Sequence, residues 1–270
     1  MRVSMASVAA GRVGRGNEDF AGAAQNAAVL VDGAGIPGME AVCRHGVAWY
    51  AARLGATILR HIDDSTLADT LADVLAVAIR QVTDQHRDTC DVADPISPSA
   101  AVAIVRVTGG RVEHLVLGDA FVVLDRGDAE PVVVTDPREP AISRVYAELL
   151  KGVPEGSDEY RRILRELRAN RNHPGGFWVA KDDPRAAHEA ITGSCPVQTL
   201  TGAALLSNGA SRIVGDLGLT DWRGVMAMLG RSGPREIIRR VRQAEARHGI
   251  AADDATVAHC TGLAAGIGGA

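Results

Sequence analysis

Aromatic residues are scarce in this chain of 270 residues, where Phe, Tyr and Trp occur three times each and together make up 3% of the sequence. Surfaces that stack nucleic-acid bases or sugar rings depend on such side chains. A basic excess is also missing, because 29 Lys and Arg residues stand against 33 Asp and Glu residues, for a net charge of −4. The composition therefore speaks against nucleic acid as a partner.

Long apolar runs are absent too. No window offers the about 18 uncharged apolar residues of a membrane-spanning helix. The N-terminal sequence MRVSMASVAAGRVGRGNED contains no apolar stretch of the length found in a secretory signal. We therefore expect no membrane partner and a cytoplasmic location.

Cysteines are few and widely spaced: Cys43, Cys90, Cys195 and Cys260. They form no Cys-x-x-Cys pair, and no His lies at the spacing of the familiar zinc motifs. The sequence predicts neither a zinc site nor a redox pair, but four buried or inert thiols.

What is present is typical of a folded protein, with 46% hydrophobic and 23% charged residues. The length fits one large or two small domains. No internal repeat and no linker rich in Pro, Gly or Ser marks a boundary. We therefore predict a single domain over residues 1–270.

The first half of the chain predicts one strand, two helices and then several strands. Residues 27–32 are an apolar run, and apolar residues at steps of three and four predict a helix over 40–62. A second helix is predicted directly after it, with Asp64 or Ser65 as its N-cap. Residues 99–135 predict an antiparallel meander with turns at Gly109-Gly110 and Arg126-Gly127-Asp128.

The second half begins with a charged segment at 139–172, which we expect to be an excursion on the surface. Further strands are expected at 175–180, 195–200, 202–207 and 255–260. Pro234 is expected to open a helix that ends at Gly249, and the tail at 262–270 is expected to be frayed. This order predicts an α+β fold and not an alternating βαβ fold.

Gly33-Ala34-Gly35-Ile36-Pro37-Gly38 matches the G-x-G-x-x-G pattern of dinucleotide-binding proteins and follows an apolar strand. That pattern requires a helix packed on a parallel sheet and a second parallel strand. Here Pro37 lies in the first turn of the required helix, and two helices follow in succession. Dinucleotide binding is therefore a remote alternative.

Acidic or amide residues follow several apolar runs. Each instance alone has a simple explanation as a turn. Hard divalent cations, however, need several oxygen ligands from separate segments, and strand ends hold such ligands rigidly. The repeated pattern therefore indicates a cation site, and its members are Asn17-Glu18-Asp19, Asp32-Gly33, Gly118-Asp119, Asn208-Gly209 and Asp253-Asp254.

These residues belong to six short motifs that follow one another along the chain. The motifs are Arg-Gly-Asn-Glu-Asp-Phe (15–20), Val-Asp-Gly (31–33), Pro-Ser-Ala-Ala-Val-Ala (98–103), Leu-Gly-Asp-Ala (117–120), Leu-Leu-Ser-Asn-Gly (205–209) and Asp-Asp-Ala-Thr-Val (253–257). In their order and separations they resemble the motifs of metal-dependent Ser/Thr protein phosphatases of type 2C, in their shorter bacterial form. The resemblance extends from about residue 8 to residue 260.

The resemblance implies two antiparallel sheets packed as a sandwich, with helices on both outer faces, a four-layer αββα arrangement. It also implies two Mg²⁺ or Mn²⁺ ions at one edge of the sandwich. Asp32 matches the carboxylate that bridges both ions, and Gly33 matches a backbone carbonyl ligand. Asp253 matches the last direct ligand, and Asp119 matches a ligand of a third, weaker ion found in bacterial members.

Other positions follow the family less closely. Glu18 and Asp19 match acidic residues that hold metal-bound waters. Asn208 stands where the family has Asp, so that one negative charge is missing from the site. The arginine that binds phosphate in the family is assigned to Arg15, with Arg12 as the alternative, because neither lies at the family's spacing.

The activity implied is the hydrolysis of phosphoserine or phosphothreonine in a phosphoprotein, by direct attack of a metal-bridging hydroxide. Asn208 leaves a second hypothesis open, a weak or inactive phosphatase-like module that binds a protein or phosphoprotein partner. The segment 139–172 corresponds to a variable flap beside the site in the family. Its arginines either meet an acidic phosphopeptide or form a solvated helix face, and they are Arg161, Arg162, Arg165 and Arg168.

Overall fold

The computed structural model describes residues 1–12, 14–64 and 69–266. The strands are β1 (Arg2–Val8), β2 (Asp19–Ala23), β3 (Ala27–Ala34), β4 (Ser99–Thr108), β5 (Arg111–Leu117), β6 (Phe121–Asp125), β7 (Val132–Val134), β8 (Ile191–Pro196), β9 (Gly202–Leu206) and β10 (Ala255–Thr261). The helices are α1 (Gly46–Asp64), α2 (Leu71–His86), α3 (Arg138–Leu150), α4 (Asp158–Ala169), α5 (Asn208–Ser211), α6 (Trp222–Ser232) and α7 (Pro234–His248).

The strands form two five-stranded antiparallel sheets, which confirms the predicted fold class. Sheet A has the order β1-β10-β9-β6-β7, and sheet B has the order β2-β3-β4-β5-β8. The turn at Gly109-Gly110 joins β4 to β5 as predicted, with φ of 53° and 72° at the two glycines. These are the positive φ values that a two-residue hairpin turn requires.

Strand β3 shows how the layers arise from the sequence. Its side chains point to opposite faces in alternation, and both faces are buried. Ala27, Val29 and Val31 pack against helices, whereas Ala28 and Leu30 pack against sheet A. Two covered faces explain why this strand reads as an unbroken apolar run.

Helices cover the outer face of each sheet. The pair α1 and α2 packs on sheet B, and the pair α6 and α7 packs on sheet A. The four layers predicted by the resemblance are thereby confirmed. Among the described residues no helix is long and apolar enough to cross a membrane.

The boundaries of the first two helices differ from the prediction. The first helix starts at Gly46 and not at residue 40, because a short 3-10 turn occupies Met39–Ala41. Asp64 is the last residue of that helix and not an N-cap, while Ser65 lies outside the described residues. The second helix is capped by Thr70, whose side chain accepts a hydrogen bond from the backbone N–H of Asp73. The side chain of Asp73 in turn accepts a hydrogen bond from the backbone N–H of Thr70.

The strands between 99 and 135 are not one meander. At Gly118-Asp119-Ala120 the chain leaves sheet B and enters sheet A, so β4 and β5 belong to one sheet and β6 and β7 to the other. Alternating apolar residues predict strands but do not show which sheet they join. The crossover has a direct consequence for Asp119, which lies at the boundary between the two sheets.

Two strand predictions for the second half are wrong. Residues 175–180 form no strand beyond isolated bridges, because Phe177 and Val179 pack against Leu167 of α4. The strand expected at 195–200 lies earlier, at Ile191–Pro196, and exposes alternate side chains as an edge strand. The frayed tail stays a prediction: Leu263 is buried in a 3-10 turn at its start, and residues 267–270 lie outside the described part of the chain.

The remote dinucleotide alternative is also contradicted. Strand β3, which precedes Gly33-Ala34-Gly35-Ile36-Pro37-Gly38, is antiparallel to both of its neighbours. The glycines lead into a 3-10 turn and a loop before α1 begins. No phosphate can therefore sit at a helix N-terminus above a parallel sheet, which is what that motif requires.

Candidate metal centre

Acidic residues from both sheets meet at one edge of the sandwich. Asp32 follows Ala28 and Leu30 in the alternation of β3 and therefore faces the gap between the sheets. Asp19 is its direct neighbour across the β2–β3 ladder. These two acids come from sheet B, and Asp253, just before β10 of sheet A, lines the same cavity as Asp32.

Asn208 connects the residues of the two sheets. It is the first residue of α5, directly after β9 and Ser207. Its backbone N–H donates to Oδ2 of Asp32 at 2.7 Å, and its side-chain Nδ2 donates to Oδ2 of Asp119 at 2.7 Å. Asn208 is therefore part of the carboxylate cluster and does not merely form a tight turn.

The carboxyl groups in this centre are poorly stabilised as anions. Removal from water raises the pKa of Asp32 well above its usual value, and the charges of Asp19 and Asp119 add to that rise. Burial likewise raises the pKa of Asp119, against the hydrogen bonds it accepts. A cluster of buried carboxylates with raised pKa values is a place where positive charge is strongly favoured.

Asp19 gives the clearest sign that a cation belongs here. Its two side-chain oxygens are buried, and neither accepts a hydrogen bond from a well-placed donor. Burial raises the pKa of Asp19 to about 7, with Asp254 and Asp253 adding to the rise while the hydroxyls of Thr256 and Ser207 oppose it. Buried polar atoms without partners are rare in folded proteins, and a hard divalent cation or its bound water would satisfy these oxygens.

Two glycines allow the segments to approach this closely. A Cβ atom on Gly33 would lie 2.3 Å from the carbonyl oxygen of Glu18. A Cβ atom on Gly209 would lie 2.1 Å from the carbonyl oxygen of Asp254. Both positions therefore require glycine, which explains why Gly follows Asp32 and Asn208 in the sequence.

The adjacent acids Asp253 and Asp254 have different surroundings. Asp254 is buried and accepts backbone N–H groups from Ala10 at 2.6 Å and Glu18 at 2.8 Å. It ties the N-terminal loop to the start of β10. Asp253 lines the cavity, whereas Asp254 does not, so Asp253 is the member of the pair that faces the site. Its two oxygens accept from Arg12 at 3.2 Å and from Arg212 at 3.4 Å.

The two arginines considered for phosphate binding both contact carboxylates. Arg15 donates to both side-chain oxygens of Glu18 at 2.8 Å. Arg12 lies between Asp253 and Asp254 at 3.2 and 3.3 Å and lines the cavity. The role of Arg15 stays a prediction, and the structure shows that its guanidinium is held by Glu18.

Beside the carboxylates is a cavity of about 370 Å³ that the charged segment 139–172 helps to form. This segment, here called the flap, folds into α3 and α4. Arg168 and Arg171 line the cavity, together with Glu139 and Ser143. The flap lies at the surface, since α3 has no buried residue and α4 buries only Ile163 and Leu167, and it also forms one wall of the cavity.

The four arginines named from the sequence separate into two groups. Arg161, Arg162 and Arg165 are exposed and form ion pairs on the surface. Arg168 lies inside the cavity, and its Nε is buried without a hydrogen-bond partner. The spacing of the buried Ile163 and Leu167 could have placed Arg168 next to the inner face of the helix.

A second cluster, in the loop before α1, was not expected. The side chains of Cys43, His45 and Cys90 place their ligand atoms within 4.8 Å of one another. His45 Nδ1 lies 3.3 Å from Sγ of Cys90. The expectation of four buried or inert thiols did not foresee this cluster, because Cys43 and Cys90 are distant in sequence and the fold brings them together.

The two packed sheets, the outer helices and the carboxylates at one edge agree with the architecture that the sequence resemblance implies. A sequence profile described as Protein phosphatase 2C matches residues 12–232, and the chain belongs to this family. No curated protein matches the sequence.

Solved structures of bacterial phosphatases share the fold. The phosphatase PstP/Ppp of Mycobacterium tuberculosis is 18% identical over 96% of this chain and 97% of that chain, with a TM-score of 0.58. MsPP, a PPM Ser-Thr phosphatase of Mycobacterium smegmatis, is 18% identical over 97% and 98%, with a TM-score of 0.57. PppA of Pseudomonas aeruginosa is 17% identical over 96% and 97%, with a TM-score of 0.56.

Proposed function

We propose that this chain is a Mg²⁺- or Mn²⁺-dependent phosphatase that hydrolyses phosphoserine or phosphothreonine in proteins. The observation that carries this proposal is the cavity in which Asp32, Asp119 and Asp253 meet a half-buried arginine, Arg168, whose Nε is buried. Membership of the Protein phosphatase 2C family supports it. A crystal structure of the PstP catalytic domain, 19% identical to this chain, contains two manganese ions.

The residues present fit such ions. Asp32 and Asp253 would hold them through carboxylate oxygens, and Gly33 through its backbone carbonyl. Asp119 would hold a third ion, and Glu18 and Asp19 would hold coordinated waters. When bound, the cations would neutralise a phosphate dianion and lower the pKa of water, which is what phosphomonoester hydrolysis near neutral pH requires.

Arg168 is the best-placed group for recognising phosphate. Arg12 and Arg15 already donate to carboxylates, whereas Arg168 keeps a buried Nε without a partner in the cavity. Arg171 is placed similarly: one terminal nitrogen donates to the carbonyls of Pro95 and Ser97, while Nε and the other terminal nitrogen have no partner. We therefore assign phosphate binding to Arg168, with support from Arg171, and not to Arg15.

Arg168→Lys is expected to raise KM for phosphosubstrates by about tenfold or more, since a charged hydrogen bond contributes about 1.5–3 kcal/mol. Lys keeps the positive charge but does not reproduce a planar guanidinium. Mn²⁺ affinity should be little changed, and calorimetry measures it separately. Arg162→Lys, on the exposed side of the same helix, is the matched control. A raised KM in Arg15→Lys but not in Arg168→Lys would assign phosphate binding to Arg15 instead.

The activity itself is tested with the purified protein and Mn²⁺. We expect Mn²⁺ binding by calorimetry and Mn²⁺-dependent turnover of p-nitrophenyl phosphate and of a phosphothreonine peptide. EDTA should remove the turnover. No turnover of either substrate at saturating Mn²⁺ would refute the proposed function.

The second candidate is a phosphatase-like module that binds a protein or phosphoprotein partner without hydrolysis. Asn208 favours it, since a neutral amide at this place contributes no negative charge to the cation centre. This candidate predicts that phosphopeptide binds and survives prolonged incubation with Mn²⁺. The turnover assay therefore separates the two candidates directly.

A further inference from the structure

The cluster formed by Cys43, His45 and Cys90 has the composition of a site for a soft metal ion. Thiolate and imidazole ligands are those that Zn²⁺ and similar thiophilic cations prefer. The carboxylate centre offers oxygen ligands instead, which suit Mg²⁺ and Mn²⁺. The two places therefore differ in the kind of cation that they would select.

The geometry of the cluster is close to that of a coordinated set. Ligand atoms on one tetrahedral Zn²⁺ lie about 3.5–3.8 Å apart, as follows from Zn–S and Zn–N bonds of about 2.3 and 2.0 Å. His45 Nδ1 and Cys90 Sγ are 3.3 Å apart, and all three ligand atoms lie within 4.8 Å. Closing around an ion would require shifts of about 1 Å, which rotations of side chains provide.

The imidazole of His45 is held in place by aromatic neighbours. Its ring stacks on Trp49 with centroids 4.4 Å apart, and the ring of His86 approaches at 6.0 Å in an edge orientation. These contacts fix the plane of the ring, so that Nδ1 of His45 stays directed at Sγ of Cys90.

The two thiols have different surroundings. Cys43 is almost fully buried, whereas Cys90 is partly exposed and has the hydroxyl of Thr89 at 3.7 Å from its Sγ. Burial raises the pKa of Cys43. Since a metal ion binds the thiolate form, binding at this cluster would release protons.

We propose that Cys43, His45 and Cys90 form a second metal site, which takes a thiophilic divalent cation such as Zn²⁺ and completes its coordination with water. Three protein ligands leave a fourth tetrahedral position, and the partial exposure of His45 and Cys90 gives solvent access to it. No step of phosphoester hydrolysis depends on this ion.

The position of the site in the fold assigns it a structural effect. Cys43 and His45 lie in the loop before α1, and Cys90 lies just after α2, where Asp91 donates its backbone N–H to the carbonyl of Val42 at 2.9 Å. An ion at the cluster would fasten this loop to the end of α2. Val47, in the first turn of α1, packs closely on Gly33. A Cβ atom on Gly33 would lie 2.5 Å from Cγ1 of Val47.

The test uses reduced, chelator-treated protein and Co²⁺ as a spectroscopic probe. We expect one equivalent of Co²⁺ to give a charge-transfer absorption from thiolate to metal, and Zn²⁺ to displace it. Cys90→Ser and Cys43→Ser should lose the band, and His45→Gln should weaken Co²⁺ binding by about tenfold or more. Cys195→Ser is the matched control, because this half-buried thiol lies outside the cluster.

Two further comparisons keep the result interpretable. Asp32→Asn should keep the thiolate band, since the carboxylate centre gives no such absorption. The test of the second metal site therefore does not depend on whether the protein is an active phosphatase. Thermal unfolding with and without Zn²⁺ should show a higher Tm in the wild type and in Cys195→Ser but not in Cys90→Ser. A band that survives Cys90→Ser, or no band in the wild type, would overturn the proposal. A Cys43–Cys90 disulfide formed on mild oxidation, in a protein without Co²⁺ affinity when reduced, would identify a redox pair instead.

Discussion

Asp32→Asn is expected to abolish Mn²⁺-dependent turnover and to reduce Mn²⁺ affinity by at least about 100-fold, because even residues behind the direct ligands of metal sites contribute about 10–100-fold. Asp32 is placed between both sheets, where it accepts the backbone N–H of Asn208 and interacts with Asp19 and Asp119. An amide keeps the shape of the side chain but removes the shared negative charge. Calorimetry with Mn²⁺ and turnover of p-nitrophenyl phosphate measure the two effects.

In the absence of a metal ion, Asp32→Asn should not reduce the thermal stability of the protein. Burial and neighbouring acids raise the pKa of Asp32, so its charged form is costly in the folded protein, and Asn resembles the protonated acid. The Tm in EDTA should therefore be unchanged or higher in Asp32→Asn, while the increase in Tm on adding Mn²⁺ disappears. Asp158→Asn, at a fully exposed acid of the flap, is the control. Turnover equal to that of the wild type in a folded Asp32→Asn protein would remove Asp32 from the metal centre.

Asn208→Asp is expected to increase Mn²⁺ affinity by about tenfold or more and to raise turnover at low Mn²⁺. The amide now donates to Asp119 at 2.7 Å, so a carboxylate there would place two acids in contact. Only a proton or a cation can then occupy the space between them. The wild-type protein should accordingly be weakly active and should need high Mn²⁺.

The same substitution should lower the Tm in EDTA, because it replaces a hydrogen bond by repulsion between like charges. This opposite pair of effects distinguishes a member of the centre from a turn residue. Asn26→Asp provides the control, since Asn26 lies at the other end of β3 and donates to the carbonyl of Val107. Identical Mn²⁺ curves for Asn208→Asp and the wild type would exclude Asn208 from the centre. Absence of turnover in both would favour the binding module.

Local sequence signals predicted β3 to β7, β9 and β10, but they placed β8 too late and missed β1 and β2. Strand β3 is apolar until Asp32 because both faces are covered, and the acid marks the edge of the sandwich. Glycine after Asp32 and after Asn208 reflects close approaches of the backbone. Both features arise from residues that are close together in the sequence or lie at the end of a strand, so the sequence pattern is sufficient to predict them.

Features that depend on distant parts of the chain were not predicted. The thiols of Cys43 and Cys90 meet only because the loop before α1 packs on the end of α2. The spacing of Ile163 and Leu167 places Arg168 beside the inner face of α4, but it does not show that this face packs on Phe177 next to the cavity. The sheet crossover at Asp119 is likewise a matter of topology.

The crossover at Gly118-Asp119 means that the acids of the centre belong to two sheets that share no backbone ladder. An ion bound by Asp32 on one side and Asp253 on the other would act as a clasp between them. A ligand that binds only the native state adds its binding free energy to the stability of the fold. Loss of the ion would therefore weaken the packing of the two sheets against each other and also abolish the activity of the site. Cation supply would then govern how firmly the two halves of the sandwich are joined.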